Sequence, residues 1–302
     1  MAKIGTPARR LFYFNESYFL NQKEEQMNVL VIGGGNMGIT YAEAIAKSNF
    51  LSSGSLMVFD KSEEKQAELR AGGFFSVHSG LGTCLPEADV VLIAVKPVHA
   101  PGLMDEMRPM VSAGQLFISI MAGVTIDTIK QRLGIDKVVR AMPNLPAQVG
   151  LGMTSFTASE QVSRLELATI EKLLDTTGRS LNLASESEID ASTGISGSGP
   201  AYIFYFMQAL LDAALKMDFN KEDARLLVGQ TFSGAVELFN SSDLSPDDWM
   251  AKVASKGGTT RAALDSMDGN NLNSLIQEAA YAAFRRAEEL GKQTDGKEVA
   301  HA

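Results

Sequence analysis

The chain has little of three things: thiols, imidazoles and positive charge. Cys84 is the only cysteine in 302 residues, which excludes an intramolecular disulfide and any zinc site built on cysteine. The three histidines, at 78, 99 and 301, do not fall at a ligand spacing such as His-x-x-x-His, so no metal is expected. Basic residues number 27 against 36 acidic ones, a formal net charge of −9. Such a charge repels phosphate backbones and anionic lipid at long range, so the expected partners include no nucleic acid and no membrane. An anionic substrate would then need a locally electropositive pocket. Near the start, Arg9-Arg10-Leu11-Phe12 has the look of a twin-arginine signal, but no long apolar stretch and no small-residue cleavage site follow it. Export is rejected and a cytoplasmic location expected.

What is present is enough apolar sequence, 45%, for one large core or two ordinary ones, and two is the better expectation at this length. Residues 1–26 differ from the rest: aromatic Phe12-Tyr13-Phe14, then the polar run Asn21 to Gln26, then a second methionine, Met27. They read as a poorly ordered extension or as the product of a start codon upstream of Met27.

From Met27 the pattern is βαβ. The apolar run Asn28 to Ile32 is followed by the loop Gly33-Gly34-Gly35-Asn36-Met37-Gly38, a helical stretch Ile39 to Lys47, and a second strand Ser55 to Asp60. Strand, glycine turn, helix and strand ending in an acid form the context a Rossmann fingerprint requires. Gly33 permits the tight turn, Gly35 the close approach of backbone to a pyrophosphate, and Gly38 the packing of helix on strand. The helix N-terminus offers free N–H groups to phosphates. Asp60 can accept from the adenine-ribose hydroxyls and repel a 2′-phosphate, which leans toward NADH. Lys61, Ser62 and Lys65 form an alternative cradle for NADPH.

The rhythm continues through Asp89 to Pro97, Leu116 to Gly123 and Lys137 to Asn144, continuous apolar runs that fit parallel strands covered on both faces. Their C-terminal ends, Lys96-Pro97, Ala122-Gly123 and Pro143-Asn144, lie at the edge where open α/β sheets bind ligands. Two further strands, Gly152 to Thr157 and Gly178 to Leu183, flank a helix over 162–174. The polar patch Ala184 to Glu188 is expected to close this first domain.

Beyond it the pattern is almost wholly helical, with helices over 201–217, 221–240, 246–254, 260–267 and 273–290, the last stopped by Gly291. The helix from Ala201 is apolar nearly all round and too large a burden for a domain of this size, so a homo-oligomer is expected through it. Ser255-Lys256-Gly257-Gly258-Thr259-Thr260, at a helix start, gathers hydroxyl and backbone donors able to hold a carboxylate. The expected organisation is α/β: 1–26 an extension, 27–184 a Rossmann-type dinucleotide-binding domain, and 185–302 an all-α dimerisation and substrate domain.

Gly-Gly-Gly-Asn-Met-Gly at 33–38, Val-Lys-Pro at 95–97, Met-Pro-Asn at 142–144, Ser-Gly-Ser-Gly-Pro-Ala-Tyr at 196–202 and Gly-Gly-Thr-Thr at 257–260 occur in the order seen in pyrroline-5-carboxylate reductases. The chain resembles that family over nearly all of 27–290. The resemblance implies reduction of 1-pyrroline-5-carboxylate to L-proline with NADPH or NADH, the final step of proline synthesis. It also implies interleaved homodimers, often assembled into larger rings, with each active site completed by a neighbouring subunit. Carried over, it puts the substrate carboxylate on Ser255 and the N–H groups of Gly258 and Thr259, and the ring nitrogen on the Thr260 hydroxyl. Thr260 is thus the expected catalytic residue. The cofactor is expected on Gly33, Gly35, Asn36, Met37, Gly38, Asp60, Lys61, Ala94, Val95, Lys96, Pro97, Ala122, Gly123 and Asn144.

The chain departs from the family pattern at Lys256, where proline is common, at Val98-His99, where glutamine follows the Lys-Pro pair, and at Leu145, where threonine is usual. A β-hydroxyacid dehydrogenase shares the two-domain plan but expects a catalytic lysine on the helix that here runs from Ala201 without one until Lys216. A nucleotide-binding regulatory homologue without turnover is opposed by the intact Ser255, Gly258 and Thr260.

Overall fold

The computed structural model describes residues 27–48, 50–52 and 54–294; the expectation for 1–26 lies outside the described residues. Residues 27–182 alternate strand and helix: β1 (Val29–Ile32), α1 (Asn36–Lys47), β2 (Leu56–Phe59), α2 (Glu63–Gly72), β3 (Ser76–His78), β4 (Val90–Ile93), α3 (Ala100–Met107), β5 (Leu116–Ser119), α4 (Ile126–Leu133), β6 (Val138–Met142), β7 (Gly152–Ala158), α5 (Arg164–Leu174) and β8 (Gly178–Asn182). One sheet runs β3-β2-β1-β4-β5-β6-β7-β8. Every neighbouring pair is parallel except β6 and β7. The order reverses at β1 and β4, so the crevice outside their C-terminal ends is the site this topology provides.

Strands β1, β2, β4 and β5 are buried on both faces because they are apolar at successive positions rather than alternate ones. Leu30, Ile32, Val91, Ile93 and Phe117 pack with Met104, Met107 and Ile129 of α3 and α4. Val29, Val31, Leu92, Ile118 and Val139 pack on the other face with Tyr41 and Ile45 of α1 and Ile170, Leu173 and Leu174 of α5. Local chemistry sets the helix ends. Ser62, Thr125 and Ser163 accept from the backbone at the starts of α2, α4 and α5, and Gly73 and Gly134 end α2 and α4 in the left-handed conformation.

The second half is helical: α6 (Glu186–Ser192), a π-helical turn (Thr193–Gly197), α7 (Gly199–Lys216), α8 (Lys221–Asn240), α9 (Pro246–Val253), α10 (Thr259–Gly269) and α11 (Leu272–Thr294). Helix α11 returns to pack on α6 and the π turn. Gly194 makes that approach possible, since a Cβ there would lie 2.9 Å from the Ala280 carbonyl oxygen. Helix α7 buries none of its residues within the single chain: Phe204 is 58% and Tyr205 79% exposed, and Leu226 on α8 is 69% exposed. An apolar helix left open in this way marks a surface that another chain covers.

Four expectations need correcting. Strand β3 was not foreseen; it is three residues long, polar at Ser76 and His78, and on the sheet edge, too short to carry a period. The polar patch 184–188 does not simply close the domain, because Ser185 caps α6 and Glu186 begins it. Gly291 does not stop the last helix, which runs on to Thr294. A mid-helix glycine costs only about 1 kcal/mol, and packing outweighs that. Lys96 is not a strand-end residue: β4 ends at Ile93, and Lys96 caps the short 3-10 turn Pro97–His99. Among the described residues no helix is long and apolar enough to cross a membrane, and no group of three or more His, Cys, Asp or Glu could hold a metal ion.

Candidate active site

The loop between β1 and α1 is shaped by steric exclusion. Gly33 has φ +111°, and a Cβ on it would meet the Ala94 carbonyl oxygen at 2.8 Å; one on Gly38 would sit 2.0 Å from the Gly33 oxygen. The loop is thereby pressed onto β4 while α1 is pressed onto the loop. Gly35 is different: a Cβ there would meet nothing within 4 Å, because the residue borders open space. Gly35 caps α1 without a side-chain hydrogen bond, leaving the first turn's N–H groups to an anion.

Asp60, just past β2, ties this loop down. Its Oδ2 accepts from the Gly34 N–H at 2.6 Å and its Oδ1 from the Ser62 N–H at 2.8 Å. Lys65 turns to Glu68 at 2.5 Å, which raises the lysine pKa above its ordinary value. The result is a cleft of about 740 Å³, lined by Gly33, Gly35, Asp60, Lys61, Ala94, Val95 and Lys96 among the expected cofactor residues. Its wall also includes Ser62, Val98, His99, Gly102, Leu103 and Glu106. Most of these were not expected at the site; the signal was available, since the segment after β4 must border the crevice at the switch point. A cleft of this volume, with a glycine-shaped floor and an uncapped helix end, fits a dinucleotide.

Asn36, Met37 and Gly38 begin α1 and Pro97 begins the turn after Lys96, next to the cleft rather than in its lining. Three expected residues lie elsewhere. Gly123, at φ +73°, is covered by Leu290 of α11, whose Cβ would lie 3.0 Å from a side chain there, and Ala122 precedes it. The Asn144 side chain is spent within the protein, donating to the Ser196 carbonyl at 3.0 Å and accepting from the Met153 N–H at 2.9 Å.

The 255–260 segment forms a compact turn. The Gly258 N–H donates to the Ser255 carbonyl at 3.0 Å, Gly257 has φ +74°, and a Cβ on Gly258 would lie 2.6 Å from the Ser255 Oγ. Gly258 then caps α10 with no side-chain bond, so the N–H groups of Thr259 and Thr260 open the helix. Lys256 is exposed beside them. Helix α10 packs chiefly on α11, and none of its residues lines the cleft of its own chain.

Residues 28–123 match a family model described as NADP oxidoreductase, coenzyme F420-dependent, and residues 186–290 one described as pyrroline-5-carboxylate reductase dimerisation. In structure the chain is similar to a pyrroline-5-carboxylate reductase from Coxiella burnetii, at TM-score 0.82 and 33% identity over 88% of this chain and 98% of that one. It is also similar to the Plasmodium falciparum pyrroline carboxylate reductase with NADP bound, at TM-score 0.80 and 27% identity over 88% and 99% of the two chains. Fold and cleft together define an oxidoreductase that works with a nicotinamide dinucleotide. The curated pyrroline-5-carboxylate reductase of Pseudomonas aeruginosa is 34% identical over 88% of this chain and 97% of its own length, and that of Haemophilus influenzae 31% over 87% and 97%. The chain belongs to the pyrroline-5-carboxylate reductase family, with the family's dimerisation domain at 186–290. The dehydrogenase alternative falls away with that finding.

Proposed function

We propose that this chain reduces 1-pyrroline-5-carboxylate to L-proline with the Ser255–Thr260 turn as the substrate clamp and Thr260 as the one catalytic side chain. The observation that carries the reading is the turn itself: Gly258 leaves no room for a Cβ because the Ser255 Oγ sits over it, next to an uncapped helix start. The Ser255 hydroxyl and the Thr259 N–H hold the substrate carboxylate, with the Gly258 N–H shared between that carboxylate and the Ser255 carbonyl. A helix start binds such an anion without a cationic side chain. The Thr260 hydroxyl, one residue further on, orients the ring nitrogen. Bound in the cleft, the reduced nicotinamide supplies a hydride to the C=N carbon, which is already electrophilic in the protonated imine. The protein's own work is orientation of the two reactants and exclusion of water. Gly33, Gly35, Gly38 and the start of α1 hold the diphosphate, Asp60 and Lys61 border the adenine ribose, and Ala94 to Pro97 border the nicotinamide side.

Because α10 packs on α11 and lines no part of its own chain's cleft, each site is completed by the clamp of the partner chain in a homodimer, and dimers assemble further into a ring. The division at residues 184 and 185, the role of 1–26 as an extension and a cytoplasmic location belong to the same proposal. Substitution Thr260→Ala is expected to lower turnover about 10- to 100-fold, the cost of losing one orienting contact at the reacting centre. Binding of reduced cofactor, titrated by its fluorescence, is expected to stay as in the wild type. Equal loss of cofactor binding would show that Thr260 does not stand where the substrate does.

A further inference from the structure

We infer that Asp60 sets the cofactor preference of this reductase toward NADH, through a carboxylate fixed where the 2′ position of the adenine ribose must come; the inference rests on the reductase reading above. An acid at the end of β2 meets the ribose hydroxyls in this sheet topology. Here that acid cannot swing aside. Its two oxygens accept from the Gly34 and Ser62 N–H groups at 2.6 and 2.8 Å, and its own carbonyl accepts from the Gln66 side chain at 2.8 Å. Each carboxylate oxygen retains one acceptor site, which suits the two hydroxyls of a ribose. A 2′-phosphate would set its negative charge against this carboxylate or force it to give up both backbone bonds.

The groups able to compensate are turned to other tasks. The Lys65 ammonium meets Glu68 at 2.5 Å, and its Cγ lies 2.9 Å from the point a Gly34 Cβ would occupy, so its stem is laid along the loop. The Ser62 hydroxyl accepts from the Lys65 N–H as the cap of α2. Of the two lysines beside Asp60, Lys61 is the one without an ion pair among the described residues, and it lies on the cleft wall. Between 60 and 68 four acids stand against two lysines, so the local field opposes a further dianion. One exposed lysine does not offset it, because an exposed cation is screened by water and salt.

The test titrates wild type and Asp60→Asn with NADH and with NADPH, reading binding by nicotinamide fluorescence without imine. The wild type is expected to bind NADH at least about tenfold more tightly than NADPH. Asp60→Asn keeps one acceptor oxygen and removes the charge; it is expected to tighten NADPH at least about tenfold while weakening NADH severalfold. A wild type that binds the two alike, or prefers NADPH, overturns the inference. So does a variant that weakens both by the same factor, the mark of a residue that only props the loop. Should Asp60→Asn fail to fold, competition of 5′-AMP against 2′,5′-ADP on the wild type decides in the same direction. Since no imine is present, absence of turnover with 1-pyrroline-5-carboxylate would sink the reductase reading and leave this test standing.

Discussion

The Arg140 guanidinium on β6 lies 2.5 Å from the Asp190 carboxylate on α6, with the arginine side chain only 4% exposed. A second acid of α6, Glu186, reaches the same guanidinium at 3.1 Å and also accepts from the Ile126 N–H at the start of α4. One buried cation on the sheet therefore fixes the first helix of the dimerisation half against the dinucleotide half. Asp190→Ala should lower the unfolding free energy by about 3 kcal/mol, since breaking one arm of a buried pair strands charge out of water. Asp105→Ala, which breaks the exposed pair with Arg132 at 3.4 Å, should cost under about 1 kcal/mol. Urea unfolding of both variants at one protein concentration checks the contrast; equal costs would mean that the buried pair does not join the two halves.

That pair shows where sequence reading stops. The strands around the crevice were legible because each is a short apolar run bounded by turn residues, and the glycine loop because three separate steric demands fall at fixed spacing. Arg140 lies inside one of those apolar runs, and a charge there announces burial without naming its partners, which lie 46 and 50 residues away. Asn144 was legible as a residue at the ligand-binding edge. Its commitment to Ser196 and Met153 depends on how the π turn meets β7, and a contact between two elements leaves no pattern within either one. The apolar helix α7 was legible as a surface needing cover, because its sequence leaves no polar face for water.

Two glycines three residues apart should respond in opposite ways to the same methyl group. At Gly38 the Cβ would be 2.0 Å from the Gly33 oxygen, so Gly38→Ala should push α1 off the loop. The expected cost is about 1–3 kcal/mol of stability, with cofactor binding lost as a consequence. At Gly35 the Cβ meets no atom within 4 Å and φ is −71°, so Gly35→Ala should melt like the wild type. Its methyl instead occupies the space the diphosphate needs, and NADH affinity should fall at least about tenfold. Thermal melting beside cofactor titration separates the two; a destabilised Gly35→Ala would contradict the open geometry.

Cys84 should be inert in the native protein. It is fully buried with its Sγ 3.6 Å from the Gly80 carbonyl oxygen, and burial pushes the thiol from its ordinary 9.0 up to about 11. Thiol-specific reagent at pH 8 should label it only after denaturation. Below pH 9 folded and unfolded chains both keep the proton, so the stabilisation is complete. Between 9 and 11 only the unfolded chain loses it, so stability falls as pH rises through that window. The stability difference between wild type and Cys84→Ala should therefore shrink from pH 8 to pH 10; an unchanged difference would place the thiol's folded value near its ordinary one.

The proposed division of each active site between two chains makes a prediction that no single variant can. Gly35→Ala disables the cleft and leaves the Ser255–Thr260 clamp whole; Thr260→Ala does the reverse. At a cofactor concentration below saturation, either homodimer should be at least about tenfold less active than the wild type. In a heterodimer whose sites pair the cleft of one chain with the clamp of the other, one site inherits both defects and the second inherits neither. Random pairing gives half heterodimers with half their sites intact, so co-expression in equal amounts should restore about a quarter of wild-type activity. If each chain used its own clamp, every site in the mixture would carry one defect and activity would stay at the level of the parents. Light scattering on the same samples should give at least twice the 32.4 kDa of one chain, because α7 and α8 leave residues such as Tyr205 and Leu226 open to solvent in the monomer. A monomeric mass at micromolar concentration would remove both the shared site and the account of the exposed helices.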